Sequence, residues 1–354
     1  MYDTIVIGAG QAGLAAAFYL KKFKHNFLII DKGKEVGESW KDRYDSLVLF
    51  TPRMYDALPG LTLEGERHGF PAKDEIVTYL KQYVKEFDLP IQFQTEVVKM
   101  QHQQGIFTIE TNQGVVQSKQ VIVATGAFQS PRIPPFSSNI TNDVFQIHSI
   151  QYKNPAQLKE GNVLVVGGGN SGAQIAYELS KERETLLAIS NKITYLPLAI
   201  QEKSIFWWFD KFGILKASAN SFLGKTIRKK GDPIFGYELK EALKRKEIIL
   251  KPRVINGIHN EITFEDKTTT KVQNIIWATG FHSIYPWLEI DDLFNAEGKI
   301  IHHRGVTNVK GLYFIGLPWQ HRRGSALLQG VGFDAEFIIK HLNEITVQGS
   351  EIED

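Results

Sequence analysis

Two mainly apolar runs along the chain are each followed directly by a cluster of glycines. Residues 4–7 precede Gly8-Ala9-Gly10-Gln11-Ala12-Gly13, and residues 162–166 precede Gly167-Gly168-Gly169-Asn170-Ser171-Gly172. Each cluster leads into a helix-like stretch, over residues 14–21 and 173–180. A strand, a glycine-rich turn and a helix in this order are typical of a dinucleotide-binding βαβ unit.

A second internal similarity supports a repeat. Residues 121–123 are apolar and precede Ala124-Thr125-Gly126, and residues 275–277 precede Ala278-Thr279-Gly280. Ala124 follows Gly8 by 116 positions, and Ala278 follows Gly167 by 111. Self-similarity at a near-constant spacing indicates repeated structural modules. The sequence therefore predicts an α/β fold with two Rossmann-like dinucleotide-binding domains.

The connecting segments suggest how the two domains are arranged along the chain. Residues 131–135 are proline-rich, and residues 151–161 are polar with a proline and a glycine, as expected of connectors. The apolar run 311–316 and a predicted helix from Ser325 onward contain no third glycine cluster, so we expect this tail to complete the first domain. The second domain is then inserted in the first. The predicted boundaries are 1–155 plus 283–354 for the first domain and 156–282 for the second.

The first glycine loop has the context that nucleotide binding requires. The first glycine allows the tight turn, the second allows backbone to approach a pyrophosphate, and the third allows helix and strand to pack closely. The helix N-terminus then offers free N–H groups to the phosphates. A second strand, residues 27–30, ends at Asp31, which is placed to accept hydrogen bonds from a ribose, with Lys32 beside it. The alternative is a generic glycine-rich turn with a surface aspartate.

The second loop carries the same elements, and its alternative interpretation is a decayed repeat that binds nothing. After the strand 186–189 come Ser190, Asn191 and Lys192. An acidic residue there would favour NAD, and an arginine would favour the 2′-phosphate of NADP. Neither is present, so we expect loose discrimination, with NADPH and NADH both accepted.

Composition excludes several classes of function. The formal net charge of +2 gives no electrostatic footprint for nucleic acid, and the lysines and arginines at 225–230 and 240–246 are interpreted as solvated helix faces. The absence of cysteine excludes thiolate metal sites and a redox-active cysteine pair. No His, Asp and Glu cluster has metal-ligand spacing. The N-terminus lacks signal-peptide features, and no run of about 18 apolar residues is present. We therefore expect a cytoplasmic protein with no membrane span and no metal.

Several motifs resemble the flavin-containing monooxygenases, and most closely their small bacterial CzcO-like members. Besides the two glycine loops and the two Ala-Thr-Gly turns, the similar motifs are Gly37-Glu38-Ser39-Trp40, Arg43-Tyr44-Asp45-Ser46-Leu47, Thr51-Pro52, His148-Ser149-Ile150-Gln151-Tyr152, residues 311–319 and residues 324–328. The resemblance covers essentially the whole chain. It implies FAD on the first domain and NADPH or NADH on the second, and it is compatible with a homodimer.

The resemblance also implies roles for particular residues. Phe50, Thr51 and His148 would lie at the catalytic centre, although the flavin carries the chemistry. The FAD site would comprise Gly8, Gly10, Gln11, Ala12, Gly13, Asp31, Lys32, Ser39, Trp40, Val97, Ala124, Thr125, Gly126, Gly316 and Gln329. The nicotinamide nucleotide site would comprise Gly167, Gly169, Asn170, Ser171, Gly172, Ser190, Asn191, Lys192, Ala278, Thr279 and Gly280.

The chain departs from the family fingerprint of Phe, Gly, His and a final aromatic residue. His148 and Tyr152 are in place, but Asn142 and Val144 occupy the Phe and Gly positions. A tyrosine at the last position resembles the heteroatom oxygenases more than the Baeyer–Villiger enzymes. The alternative for His148 is a capping or core histidine at the domain junction.

An aromatic segment, residues 204–236, has three interpretations. It could form an apolar lid over the cleft between domains, pack as ordinary helices within the second domain, or dock shallowly on a membrane surface.

The implied reaction is insertion of one oxygen atom from O2 into a small-molecule substrate. The oxygen donor would be a C4a-hydroperoxyflavin, and the substrate a soft nucleophile, either a sulfide or an amine, or else a ketone. The alternative is an NAD(P)H-dependent flavin reductase or oxidase that passes electrons to a quinone or to O2 without inserting oxygen. A third class is a flavin- or nucleotide-sensing protein that regulates a partner. Complete glycine loops at both sites argue against that class.

Overall fold

The computed structural model describes residues 1–350, with side chains described through Glu344. The helices are α1 (Gln11–Lys22), α2 (Glu38–Lys41), α3 (Lys73–Glu86), α4 (Asn170–Leu179), α5 (Ile205–Lys211), α6 (Phe222–Lys230), α7 (Glu238–Lys244) and α8 (Leu328–Ser350). Short 3-10 helices span Arg53–Tyr55, Pro135–Asn139, Pro155–Gln157, Ile214–Lys216 and Arg323–Ala326.

The strands are β1 (Tyr2–Ile7), β2 (Phe27–Ile30), β3 (Ile91–Gln92), β4 (Val97–Gln103), β5 (Ile106–Thr111), β6 (Gly114–Val123), β7 (Ser130–Pro131), β8 (Phe145–His148), β9 (Val163–Val166), β10 (Thr185–Ala188), β11 (Tyr195–Leu196), β12 (Ala199–Ile200), β13 (Lys203–Ser204), β14 (Ile234–Phe235), β15 (Ile248–Lys251), β16 (Val254–Ile258), β17 (Glu261–Phe264), β18 (Thr269–Lys271), β19 (Asn274–Trp277), β20 (Phe281–His282), β21 (His302–His303), β22 (Val306–Thr307) and β23 (Leu312–Phe314).

A parallel five-stranded core organises the first α/β unit. Its strands lie in the order β3-β2-β1-β6-β23, and every neighbouring pair is parallel. β4, β5, β21 and β22 extend this sheet by antiparallel pairing. The near-continuous apolar sequences of β1 and β2 suit strands that are buried on both faces. The sequence predicts that the C-terminal tail returns to the first domain, and β23 of that tail lies beside β6 in the first sheet.

The second unit repeats this core. Its strands lie in the order β15-β10-β9-β19-β8, again all parallel. β9 and β10 take the places of β1 and β2, and β19 takes the place of β6. The mixed α/β class that the sequence predicts is confirmed.

The pairing of β8 corrects the predicted domain boundary at residue 155. β8 was assigned to the first domain, but it lies at the edge of the second sheet, in register with β19 from Phe145↔Asn274 to His148↔Trp277. The chain enters the second unit earlier, through the antiparallel ribbon of β7 and β20. The proline-rich stretch is therefore the connector, and residues 151–161 are a loop within the second unit.

Helix packing fixes the N-terminal end of α1 near the C-terminal tail. Ala15, Ala16 and Ala17 are fully buried in one core with Val331 and Ala335 of α8. Small side chains allow these two helices to approach closely, which brings the start of α8 toward the first glycine loop. Within residues 1–350, none of the helices has the length and apolar composition that crossing a bilayer requires.

Candidate functional site

The first glycine loop has the geometry that its three glycines predict. Gly8 turns the chain with a φ of +110°, and a Cβ on it would lie 2.6 Å from the carbonyl oxygen of Ala124. A Cβ on Gly13 would overlap the carbonyl oxygen of Gly8. Both positions therefore require glycine for packing, because backbone atoms leave no room for a side chain.

The second loop reproduces the same contacts. Gly167 has a φ of +127°, and a Cβ on it would lie 2.7 Å from the carbonyl carbon of Ala278. A Cβ on Gly172 would overlap the carbonyl oxygen of Gly167. The repeat seen in the sequence is thus a repeat of backbone geometry.

Four other glycines face open space instead. A Cβ on Gly10, Gly126, Gly169 or Gly280 would meet nothing within 4 Å. Gly10 and Gly169 cap α1 and α4 without a side-chain hydrogen bond, so the first N–H groups of both helices have no side-chain partner at the cap. Each loop is therefore an open backbone cradle at a helix N-terminus, which suits a pyrophosphate.

Asp31 lies at the end of β2 and organises the first loop. Its Oδ2 accepts a hydrogen bond from the N–H of Ala9 at 2.6 Å, and its Oδ1 accepts one from the N–H of Gly33 at 2.6 Å. A carboxylate has about four acceptor positions, so capacity remains for ribose hydroxyls. The carbonyl oxygen of Asp31 accepts a hydrogen bond from the backbone N–H of Thr95. Thr95 lies two residues before Val97, a buried residue of β4. The adjacent Lys32 is exposed.

A hydrogen-bonded bridge joins the first loop to α2 and to the tail. The indole N–H of Trp40 donates to Oε1 of Gln11 at 3.1 Å, and the amide of Gln11 donates to the carbonyl oxygen of Ala326 at 3.2 Å. A Cβ on Gly316 would lie 2.9 Å from that of Ala12. The structure thus brings Gln11, Ala12, Trp40 and Gly316 together, with the exposed Ser39 beside Trp40. Gln329 is the second residue of α8.

Thr51 belongs to a buried polar pair that the sequence did not reveal. Its hydroxyl donates to Oδ1 of Asp56 at 2.6 Å. Both side chains are buried, and Oδ2 of Asp56 has no hydrogen-bond partner. Burial raises the pKa of Asp56 to about 8. No motif or spacing marks Asp56 in the sequence.

Phe50 connects the first unit to the aromatic segment of the second. Its ring stacks on Phe235 at a centroid distance of 4.7 Å and on Phe206 at 6.1 Å. The side chain of Asn170 donates to the carbonyl oxygen of Pro233 at 3.1 Å and accepts from the N–H of Phe235 at 3.3 Å. Part of the segment 204–236 therefore lies between Phe50 and the second glycine loop.

Two other phenylalanines of that segment face solvent. Phe212 is 69% exposed and Phe222 is 90% exposed. The segment thus combines an apolar cover over Phe50 with a solvent-facing side.

His148 takes part in a structural hydrogen-bond network. Its Nε2 lies 3.0 Å from the carbonyl oxygen of Gly280, and its Nδ1 accepts from the N–H of Ile150 at 3.3 Å. These partners require the neutral ring with the proton on Nε2. Burial and the nearby Arg43 cation lower the pKa of His148, because both disfavour a second positive charge. His148 therefore holds the Gly280 turn in place.

The remaining predicted residues border the two cradles. Thr125 accepts a hydrogen bond from Gln129 at 3.0 Å, and Thr279 donates to the carbonyl oxygen of Arg132. Ser190, Asn191 and Lys192 are exposed directly after β10. Ser171 lies on the first turn of α4, beside Gly172.

Comparison with known proteins extends over the whole chain. A family model described as pyridine nucleotide-disulphide oxidoreductase matches residues 5–194. The uncharacterized oxidoreductase CzcO of Bacillus subtilis (strain 168) is 62% identical over 343 residues, which cover 97% of this chain and 99% of that protein. The probable indole-3-pyruvate monooxygenase YUCCA4 of Arabidopsis thaliana is 29% identical over 384 residues, which cover 97% and 90%.

A solved structure shares the fold. The flavin-containing monooxygenase from Stenotrophomonas maltophilia superimposes with a TM-score of 0.82 at 24% sequence identity, covering 98% of this chain and 99% of that one. Both α/β units and their connection lie within the matched region.

Proposed function

The chain belongs to the CzcO-like oxidoreductases of the pyridine nucleotide-disulphide oxidoreductase family, and we propose that it is an FAD-dependent monooxygenase that uses NADPH or NADH. The observation that carries this proposal is the pair of matched open cradles at Gly10 and Gly169. A flavin held on a dinucleotide loop is FAD, and the family description names a pyridine nucleotide as the second ligand. The absence of cysteine excludes electron transfer to a dithiol within the chain.

The two units are assigned to the two cofactors, each as a Rossmann-like domain, with the second inserted in the first. The first comprises residues 1–129 and 283–350 and would hold FAD. The second comprises residues 132–280 and holds NAD(P)H, and the β7–β20 ribbon joins them. FAD would contact Gly8, Gly10, Gln11, Ala12, Gly13, Asp31, Lys32, Ser39, Trp40, Val97, Ala124, Thr125, Gly126, Gly316 and Gln329. NAD(P)H would contact Gly167, Gly169, Ser171, Gly172, Ser190, Asn191, Lys192, Ala278, Thr279 and Gly280.

In this proposal, the side chains of Asn170 and His148 hold backbone groups of other residues near the second loop. Asn170 holds residues 233 and 235 over the second loop, and His148 holds the carbonyl oxygen of Gly280. Their side chains are positioning groups, because the side-chain polar atoms are engaged with the chain, whereas the N–H of Asn170 at the start of α4 would contact NAD(P)H.

The substrate is a small soft nucleophile, a sulfide or an amine, with a ketone as a further class. FAD held on the first loop would supply the redox chemistry that links NAD(P)H oxidation to the activation of O2. The chain contributes a dry environment, because Phe50, Phe206 and Phe235 form a stacked apolar cover. The Thr51–Asp56 pair contributes a buried hydroxyl and a carboxyl group that retains its proton near neutral pH.

Coenzyme selection is expected to be loose. The residues that follow β10 include neither an acid nor an arginine, and Lys192 offers only a point charge to a 2′-phosphate. We expect the kcat/KM values for NADPH and NADH to differ by less than about a hundredfold, or about 2.7 kcal/mol. Anaerobic reduction of the bound flavin with each coenzyme measures this ratio, and a larger ratio would refute the expectation.

Reaction stoichiometry tests the proposed activity. The purified holoenzyme would be given NADPH, ¹⁸O₂ and methyl phenyl sulfide, with NADPH consumption, labelled sulfoxide and peroxide measured together. The proposal expects sulfoxide that carries one ¹⁸O atom for most of the NADPH consumed. A panel of amines and ketones in the same assay defines the substrate class.

The second candidate is a reductase or oxidase without oxygen insertion. It is favoured by the altered fingerprint, since Val144 is a core residue and Asn142 stands at the aromatic position. Stoichiometric peroxide with every substrate in the panel, or faster NADPH oxidation with a quinone and no oxygenated product, would establish it.

A further inference from the structure

Arg43 is a partly buried cation at the junction between the two units. It follows α2 of the first unit, and its guanidinium lies 4.7 Å from the ring centroid of Phe128 and 5.8 Å from that of Phe281. The two rings meet edge to face at 5.0 Å beside the β7–β20 ribbon. Burial lowers the pKa of Arg43, although the group stays charged at physiological pH.

This guanidinium lacks an anionic partner in the part of the chain that the structure describes. No carboxylate within residues 1–344 forms a salt bridge with it, and no hydrogen bond from its five N–H donors is found there. Aromatic faces supply only weak stabilisation for a cation, about 0.5–2 kcal/mol. Burial removes part of the hydration of this cation while its nitrogen atoms stay accessible, so the site is complementary to an anion that comes from outside the chain.

The position of Arg43 identifies where that anion would be bound. Phe281 directly follows Gly280, whose carbonyl oxygen accepts from both His148 and Arg132. Tyr44, the next residue, donates from its hydroxyl to Gln174 on α4. Arg43 therefore lies beside the residue that follows the Gly280 turn, and its neighbour Tyr44 reaches the first half of α4.

We propose that Arg43, from the first unit, binds the pyrophosphate of the nicotinamide nucleotide held on the second glycine loop. This inference rests on the proposed function and extends it, since it makes the nucleotide site a composite of both units. A pyrophosphate lies at the helix N-terminus in such loops, whereas a 2′-phosphate lies beyond the end of the second strand, here at residues 190–192. The contacts of Arg43 with Phe281 and of Tyr44 with Gln174 favour the pyrophosphate position. The planar guanidinium also suits bidentate binding of phosphate oxygens.

Binding of the oxidised coenzymes tests this without turnover. NADP⁺ and NAD⁺ would be titrated by calorimetry into the FAD-loaded wild type, Arg43→Gln, Arg43→Lys and the control Arg245→Gln. Arg245 is exposed and pairs with Glu247. Because both coenzymes carry the pyrophosphate, Arg43→Gln should raise both Kd values by the same factor, about ten- to hundredfold. Arg43→Lys should show a smaller rise, and the control should match the wild type within about twofold.

The outcomes separate this inference from the proposed function. If the wild type binds both coenzymes and Arg43→Gln binds them with unchanged Kd values, the inference is overturned and the second nucleotide site is upheld. A loss confined to NADP⁺ also overturns it, because the contact would then be to the 2′-phosphate. If wild type binds neither coenzyme, the proposed function and the inference both fail. FAD content and the melting temperature report folding, and if Arg43→Gln unfolds, the Arg43→Lys titration decides by the same criteria.

Discussion

Replacing Gly169 by alanine should remove nucleotide binding without disturbing the fold. Gly169 has φ −81° and ψ 177°, which alanine adopts freely, and its Cβ would meet nothing within 4 Å. Alanine is a poorer N-cap than glycine by roughly 0.5 kcal/mol, but it restricts the unfolded chain by about 0.4–1 kcal/mol. These effects nearly cancel, so the melting temperature should move by less than about 3 °C.

The expected effect of Gly169→Ala on coenzyme binding is much larger than its effect on stability. The added methyl group occupies the space that a pyrophosphate needs to reach the N–H groups of α4. Loss of two charge-assisted hydrogen bonds costs about 3–6 kcal/mol, which raises the Kd for NADP⁺ at least about a hundredfold. Gly172→Ala is the contrasting variant, since its Cβ overlaps the carbonyl oxygen of Gly167 and must destabilise the second unit itself.

Two measurements on each variant decide this prediction. Calorimetric titration gives the Kd for NADP⁺, and differential scanning calorimetry gives the melting temperature. Gly10→Ala provides the mirror test, with retention of FAD as its readout, because Gly10 faces open space in the first loop. Gly169→Ala that binds NADP⁺ as tightly as wild type would refute the assignment of the second cradle. A melting temperature lowered by 10 °C or more would refute the claim that the space is open.

Three further predictions concern the surroundings of the loops. Phe50→Ala removes stacking on Phe235 and should cost about 1–3 kcal/mol in urea unfolding while raising the peroxide share of NADPH oxidation; an unchanged share would contradict the apolar cover. The pKa of the Asp56 carboxyl group is about 8 in the folded protein and about 3.9 in the unfolded chain. Its protonated form therefore stabilises the fold fully below about pH 4, and this stabilisation falls by about 1.4 kcal/mol for each pH unit up to pH 8. Asp56→Asn should therefore gain stability relative to wild type between pH 5 and pH 8, and parallel curves would contradict the raised pKa. Nitrogen NMR should show His148 neutral with the proton on Nε2 above pH 6.5, whereas a higher titration midpoint would contradict its lowered pKa.

The repeated core was predictable because its signals are local. A buried strand, a turn that only glycine fits and a following helix occupy adjacent positions, so Gly8 and Gly167 could be interpreted in isolation. The end of β2 at Asp31 followed from the same periodicity. The assignment of β8 failed because four residues of mixed polarity carry no information on which sheet they join. That choice is made by pairing with β19, more than a hundred residues later.

The parts of the site missed by sequence depend on contacts between distant segments. Asp56 becomes unusual only because folding buries it next to Thr51, and Arg43 only because two separate connectors place rings around it. Asn170 lies in the predicted loop, yet its side chain is used to hold residues 233 and 235. Spacing along the chain does not encode any of these relations.

The stretch from Trp40 to Phe50 explains how one short segment can serve both units. Trp40 is bonded to the first glycine loop, Tyr44 is bonded to α4 of the second unit, and Phe50 stacks on the cover over the second loop. In the proposed reaction, hydride transfer would require the two bound groups to meet within van der Waals distance, so it would depend on how the two units are placed relative to each other. The β7–β20 ribbon alone is a narrow connection that would permit rotation. A segment that contacts both units restricts that rotation, and a nucleotide bound by Arg43 would add a further link at the same junction.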